Sequence, residues 1–335
     1  MAHRAEVSHV KEVHKEALLA KPNVVGVGLG FKERGGSTSE ELSIVALVRQ
    51  KVPRLALSTE ALIPKTLDGV LTDVRQVGDL RALQGRTGRH RPAPGGVSVG
   101  HFRVTAGTLG CVVRERSGGE RLILSNNHVL ANSNEAQPGD LVLQPGAIDG
   151  GRVESDVIAR LKRFQPISFT VEPPTCGIAI GIVRIGNLLA KLIGSSHRLE
   201  TYRYDAQAVN RVDAAVAAPL NEQDIRDEIL DIGVVAGTTP ARLGMSVRKS
   251  GRTTGFTSGT INVIDTTVTV SYGADRKARF EGQLVSGPMS KPGDSGSLLV
   301  AGDSLLAVGL LFAGSDQATI FNPIQDVLDA LQVVI

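Results

Sequence analysis

KPGDSGSLLV, residues 291–300, is the stretch whose reading decides the fold. Ser295 sits between Gly293 and Gly296, directly ahead of an apolar run that reads as a β-strand. A glycine-rich turn of this kind presents a serine hydroxyl. It also turns the backbone N–H groups of Gly293 and Ser295 toward one point, the arrangement an oxyanion hole requires. The plainer reading is a polar β-turn. A lone hydroxyl is a weak nucleophile, so the sharper reading needs a base elsewhere in the chain.

Seven histidines are available: His3, His9, His14, His90, His101, His128 and His197. The first three lie in or near an N-terminal helical pattern. His90 lies in a basic stretch, and His101 and His197 lie among polar residues. His128 alone follows a buried-looking strand, in RLILSNNHVLA (121–131), where an apolar core would hold an imidazole rigidly. A base also needs a carboxylate to orient it. Asp213, in NRVDAAVAAPL, is a single acid among apolar neighbours and therefore needs a partner. Asp156 and Asp140 are rivals that read better as turn or strand-start residues. The chain order is then His128, Asp213, Ser295.

The composition narrows the setting. The chain has 335 residues, enough for one large domain or two ordinary ones, with 41% apolar and 21% charged residues. Its 37 basic and 34 acidic residues nearly balance, leaving no electrostatic footprint for nucleic acid or an anionic membrane. Aromatics are 3% with no Trp, which speaks against a base-stacking platform. Cys111 and Cys176 are too few for a disulfide framework; one bridge or two free thiols would both fit. Residues 1–21 carry no apolar signal core, so a cytoplasmic location is expected. The apolar run from Gly177 to Ile193 is interrupted by Arg184 and Lys191, and is too short and too charged for a spanning helix.

Along the chain, Ser8 is placed to cap a helix with Val10, Val13, Ala17 and Leu18 on one face, ended by Pro22. VVGVGLGF (24–31), LSIVALVRQ (42–50) and GVLTDVRQVG (69–78) read as strands, with ERGGST (33–38) as a turn. Residues 1–80 therefore form a small α+β domain. RALQGRTGRHRPAPGG (81–96) has no apolar period and reads as a basic Pro/Gly linker, or as an exposed processing site. From residue 97 onward, short apolar runs alternate with Gly, Pro, Asn and Asp, the pattern of a β-barrel or sandwich. NEQDIRDEILD (221–231) and NPIQDVLDALQVV (322–334) read as helices. Residues 164–205 are ambiguous and include a helix-compatible IGNLLAKLIGS. G-x-G-x-G at 26–30 does not make a dinucleotide site, because Phe31 stands where the last glycine is needed. Neither cysteines nor histidines have zinc spacing.

These residues together resemble chymotrypsin-fold (trypsin-like) serine proteases. GDSGS (293–297) is similar to the nucleophile motif, LSNNHVLA (124–131) to the histidine motif and VDAAVA (212–217) to the aspartate motif. AVGLLFAG (307–314) is similar to the strand that binds substrate backbone, and the closing helix also fits. KSGRTTGFTSGTI (249–261) and NVVGVGLGFK (23–32) are similar to bacterial relatives of the plant Narrow leaf one-like serine proteases. The resemblance covers about residues 97–335. It implies two antiparallel β-barrels in that region.

The resemblance also implies a serine endopeptidase acting through an acyl-enzyme on Ser295. His128 would be the general base and Asp213 its orienting acid, with an oxyanion hole at Gly293 and Ser295. Phe312, Ala313 and Gly314 would bind substrate backbone. Met289 would lie near the base of the primary pocket and favour an apolar or small side chain. No metal or organic cofactor is expected. The expected partner is a peptide or protein substrate, with neither nucleic acid nor membrane. Homo-oligomer formation is the expected use of the front domain and of the insertion around 160–205. Secreted zymogens of the family pair an acid beside the serine with a freed N-terminus. Asp294 holds that place here, but the first domain has no clear activating cleavage site. The alternative function is a catalytically silent or latent protease-fold protein that binds peptides as a scaffold. An esterase-like hydrolase on another fold is disfavoured by the order of the three residues and by Ser297, which replaces the last glycine of a G-x-S-x-G elbow.

Overall fold

The computed structural model describes residues 4–34, 37–53, 56–78, 85–104, 106–273 and 275–335. It divides into two compact units, Met1–Gln84 and Gly85–Ile335.

In the first unit a helix spans Arg4–Leu19, so Ser8 lies inside it rather than at its cap. The buried stripe is Val7, Val10 and Leu18, while Val13 faces outward. Beginning the stripe at Val7 moves the helix start upstream of Ser8. This stripe packs with Ile44 and Val70 of a four-stranded sheet. Ser37–Val48 pairs antiparallel with Val24–Arg34 and parallel with Val70–Gln76. Part of the expected turn at 33–38, residues 35–36, lies outside the described residues.

The second unit is mainly β. Six segments form one ring: Ser98–His101, Leu141–Leu143, Val157–Phe164, Ala215–Pro219, Arg121–Ser125 and the stretch 107–115. That last stretch closes the ring. Its first part, Gly107–Thr108, pairs with Ser98 and Val99, and its second, Cys111–Glu115, pairs with Arg121–Ser125. A second ring runs Ser246–Gly251, Gly255–Ser271, Lys277–Ser286, Thr319–Pro323, Ala307–Gly314 and Leu298–Ala301, and returns to the first of these. Both are antiparallel six-stranded barrels.

The alternation of side chains along each strand explains why the sequence reads as continuous apolar runs. Ile123 points into the first barrel with Val99, Val142 and Ile158. Its neighbours Leu122 and Leu124 point the other way, into a core shared with Leu298, Val300 and the closing helix Ile324–Ala330. Leu299 in turn points into the second barrel with Val247, Ile261 and Phe321. Each barrel thus has its own interior, and a third core joins them.

Two expectations require correction. Residues 85–96 are not a linker, while 81–84 lie outside the described residues. Ala93–Gly95 is a buried strand paired in parallel with Ile225–Ile229. Two of the arginines that suggested solvent are paired: Arg86 donates to Ser250 Oγ at 2.7 Å and pairs with Asp231, and Arg89 pairs with Asp156 at 3.1 Å. Residues 221–231 are a short turn of 3-10 helix, Glu222–Asp224, followed by the strand Ile225–Ile229. Ile225 and Ile229 are both buried. A spacing of four satisfies a helical face and a strand face equally, so pairing with 93–95 decides the outcome.

Within 164–205, Gly177–Leu192 is helical and lies between two short strands, Val171–Glu172 and Arg203–Tyr204. Cys111 is buried and Cys176 exposed, and both are free. Among the described residues no helix is long and apolar enough to cross a membrane.

Candidate active site

The strand Arg121–Ser125 runs straight into one turn of helix, Asn127–Leu130. Asn127, Val129 and Leu130 are buried, which leaves His128 as the partly exposed member of that turn. Asp213 lies just ahead of Ala215–Pro219, the strand beside it: Ala215 pairs with Ser125. Register therefore brings His128 and Asp213 together although they are 85 residues apart in sequence.

The contact is close. His128 Nδ1 lies 2.6 Å from Asp213 Oδ2, and the His128 N–H donates to Asp213 Oδ1 at 3.2 Å. The Asp213 side chain has 0% exposure. Asn126 Nδ2 donates to the Asp213 carbonyl at 2.7 Å, and the Asp213 N–H donates to Asn322 Oδ1 at 3.0 Å. Asn322 is fixed in turn by donating to Gln283 Oε1 at 2.7 Å. The rival acids are used elsewhere: Asp140 contacts His101 Nε2 at 3.1 Å, and Asp156 accepts from the Arg152 N–H and the Ser155 hydroxyl.

Tyr272 was not singled out by the sequence. Its hydroxyl donates to Asp213 Oδ2 at 2.8 Å, and its ring meets His128 edge-on at 5.9 Å. Burial, reinforced by the Asp213 charge and the hydrogen bond, pushes the phenol well above its ordinary range. It therefore stays a neutral donor. With only three tyrosines in the chain, one at the start of a hairpin turn was the available signal.

Ser295 lies on the second barrel side, three residues before Leu298–Ala301. Gly293 and Gly296 flank it at φ +97 and +94, backbone that favours glycine. A Cβ on Gly296 would come within 2.1 Å of Ser125 Oγ, so the turn is pressed against the strand that leads to His128. A Cβ on Gly107 would lie 2.4 Å from Val129 Cγ2 and 2.9 Å from the Ser295 carbonyl. The residue beside His128 and the Ser295 backbone thus approach one point. Among the described residues, the Gly293 and Ser295 N–H groups donate to no protein acceptor, and no hydrogen bond joins His128 to the Ser295 hydroxyl.

Asp294 is fully buried and does more than bond to turn N–H groups. Lys249, also without exposure, approaches it at 3.1 Å. Thr254 Oγ1 donates to it at 2.6 Å, and the N–H groups of Lys291, Thr253 and Thr254 donate at 3.0, 2.8 and 3.1 Å. Burial alone would raise this carboxyl; the Lys249 charge and these donors hold it below the usual carboxylate range. The sequence did not single out Lys249.

A cavity of about 450 Å³ opens beside Ser295, walled in part by Leu311, Ala313 and Gly314. Met289 is not part of its lining. It is 5% exposed and belongs to the second barrel core with Val247 and Ile261. Phe312 is also buried, packed on Phe280, and its side chain does not line the cavity. The strand is irregular at this point: its register against 319–323 shifts between Leu311 and Ala313, and Phe312, at that shift, lies in the core with Phe280. The wall also carries Ser290, Lys291 and Asp316, so it is not free of charge as the position of Met289 suggested. Residues 309–314 pair with 319–323 on one side, whereas pairing with 298–301 ends at Leu310. Among the described residues, no cluster of three or more His, Cys, Asp or Glu could hold a metal ion.

Comparison with known proteins gives the following. No family model matches the chain. Over 101 residues, 29% of this chain, it is 36% identical to streptogrisin-C of Streptomyces griseus. The match spans 21% of that protein, about a fifth of its length. Among solved structures, the chain is similar to a Nocardiopsis protease, at 16% identity and TM-score 0.45, covering 72% of this chain and 97% of the other. It is also similar to Thermobifida fusca protease A, at 17% identity and TM-score 0.45, with the same coverage. Two closed six-stranded barrels, with His128 and Asp213 on the first and Ser295 on the second, answer the question of architecture. The fold is chymotrypsin-like. An acyl hydrolase on another fold is thereby set aside.

Proposed function

We propose that this chain is a serine endopeptidase that cleaves peptide bonds through an acyl-enzyme on Ser295. The observation that carries the reading is the 2.6 Å contact between His128 Nδ1 and the buried Asp213 carboxylate, opposite the glycine turn that holds Ser295. With Nδ1 held by Asp213, His128 keeps Nε2 free to accept the Ser295 hydroxyl proton. The serine oxygen attacks the scissile carbonyl. The Gly293 and Ser295 N–H groups, left without protein acceptors, stabilise the oxyanion. His128 then passes its proton to the leaving amine, and water hydrolyses the acyl-enzyme by the same route. Ala313 and Gly314 lie at the unpaired side of their strand, where an extended substrate can add as a further strand.

The Lys249–Asp294 pair supports activity without processing. An internal cation already occupies the acid beside the serine, so no freed N-terminus is required to fill that role. The narrower relationship, to bacterial relatives of the plant Narrow leaf one-like proteases, rests on residues 249–261 and 23–32.

Labelling with a fluorophosphonate probe tests the reading. The uncleaved wild-type chain is expected to label covalently, and Ser295→Ala and His128→Ala to lose labelling. Folded wild type that neither labels nor hydrolyses a casein substrate would instead leave the silent scaffold as the function.

A further inference from the structure

The helix Gly177–Leu192, GIAIGIVRIGNLLAKL, contains no buried residue. One side rests on the chain that follows it. Asn187 Nδ2 donates to the Leu199 carbonyl at 2.9 Å, and the Leu199 N–H donates back to Asn187 Oδ1 at 2.7 Å. Gly186 approaches the same residue closely enough that a Cβ would sit 2.7 Å from Leu199 Cδ1. At 3.6 residues per turn, the face directly opposite Asn187 carries Ile178, Ile182, Ile185, Leu189 and Leu192. All five are between 57 and 76% exposed.

Their spacing is four, three, four, three. That is the heptad period of 3.5 along which two helices interlock, and it places isoleucine or leucine at every seam position. The seam carries no charge. The two cations, Arg184 and Lys191, are seven residues apart and share one heptad position on the far side of the helix. Two copies would therefore meet without bringing like charges together. The helix has no aromatic residue and only these two cations, which fits a protein partner better than a lipid surface. Ile193, 81% exposed, extends the apolar strip past the helix end.

We propose that this helix is a self-association element, and that its 178–192 seam packs against the same seam of a second copy of this chain. The inference is independent of the hydrolase reading, because its test reads mass rather than turnover. Light scattering and sedimentation velocity of the full chain should show the mean mass rising toward a multiple of the monomer between about 1 and 100 µM. Ile182→Glu/Leu189→Glu should remain monomeric across that range. Arg184→Glu/Lys191→Glu, on the same helix but off the seam, and Leu243→Glu, an exposed apolar residue elsewhere, should associate like wild type. Unchanged circular-dichroism melting would show that the substitutions spare the fold, as their exposure requires. A wild type that is monomeric throughout would overturn the proposal, as would association that survives the seam substitutions. A monomeric wild type that binds phosphatidylserine vesicles through the seam would assign the surface to a membrane and also overturn it.

Discussion

A carboxylate with no exposure survives in a protein only when its oxygens are used, and Asp213 uses both. His128 supplies two donors and Tyr272 a third. The phenol does not touch the reacting atoms; it acts through Asp213 and is a positioning residue. Tyr272→Phe keeps the ring contacts and removes one hydrogen bond to a charged group, worth about 1.5 kcal/mol. That corresponds to roughly a tenfold fall in kcat with KM unchanged. A peptide substrate assayed across concentrations reads the split, and an unchanged kcat would remove Tyr272 from the site. The second buried carboxylate, Asp294, depends on a cation instead. Lys249→Met would strand it and destabilise the chain by about 3–5 kcal/mol, whereas Lys249→Met/Asp294→Asn should recover most of that loss. The pH dependence follows from the sign of the shift. The folded carboxyl lies below its ordinary 3.8, so its stabilising contribution is complete above that value and is lost as pH falls through the lower folded value. Urea midpoints at pH 7 and pH 3 should therefore differ more for wild type than for the double variant.

At the scale of elements, the turn at 293–296 shows how much position matters for a small residue. Gly296→Ala would drive a Cβ against Ser125 Oγ and the Thr108 carbonyl at φ +94, a cost of about 3 kcal/mol. Gly118→Ala, in open space, should cost little, and the difference in Tm between the two variants measures the constraint. The same turn was readable in the sequence as one that presents a serine hydroxyl, beside the plainer reading of a polar β-turn. His128 and Asp213 were readable because a polar group at the end of an apolar strand needs a partner. Asn126, Asn322 and Lys249 escaped notice for the complementary reason: each bonds to a residue distant in the chain, and no local spacing records such a bond. Met289 was misplaced because counting back from Ser295 does not say which way a side chain turns. The strand 225–229 was misread because its two buried isoleucines suit both periods.

At the scale of the molecule, the boundary between the units is a physical question with a measurable answer. Composition put the start of the β-rich unit at residue 97, since 81–96 shows no apolar period. The fold puts it at Gly85. Between those positions lie the strand Ala93–Gly95, the Arg86 ion pair with Asp231, and the His90 N–H that donates to Gln144 Oε1 at 2.7 Å. All are internal to the barrel unit, which also contains both barrel cores and all three residues of the candidate triad. A fragment of residues 85–335 should therefore fold alone and label with fluorophosphonate at the full-length rate. A fragment of 97–335 lacks the parallel partner of Ile225–Ile229 and leaves buried Gln144 short of three partners, Gly88, His90 and Arg91. With about 1 kcal/mol for each lost hydrogen bond and more for the uncovered apolar surface, its Tm should drop by roughly 10 °C. Equal melting of the two fragments would show that residues 85–96 are the linker their composition suggests, and that the contacts seen there contribute nothing to stability.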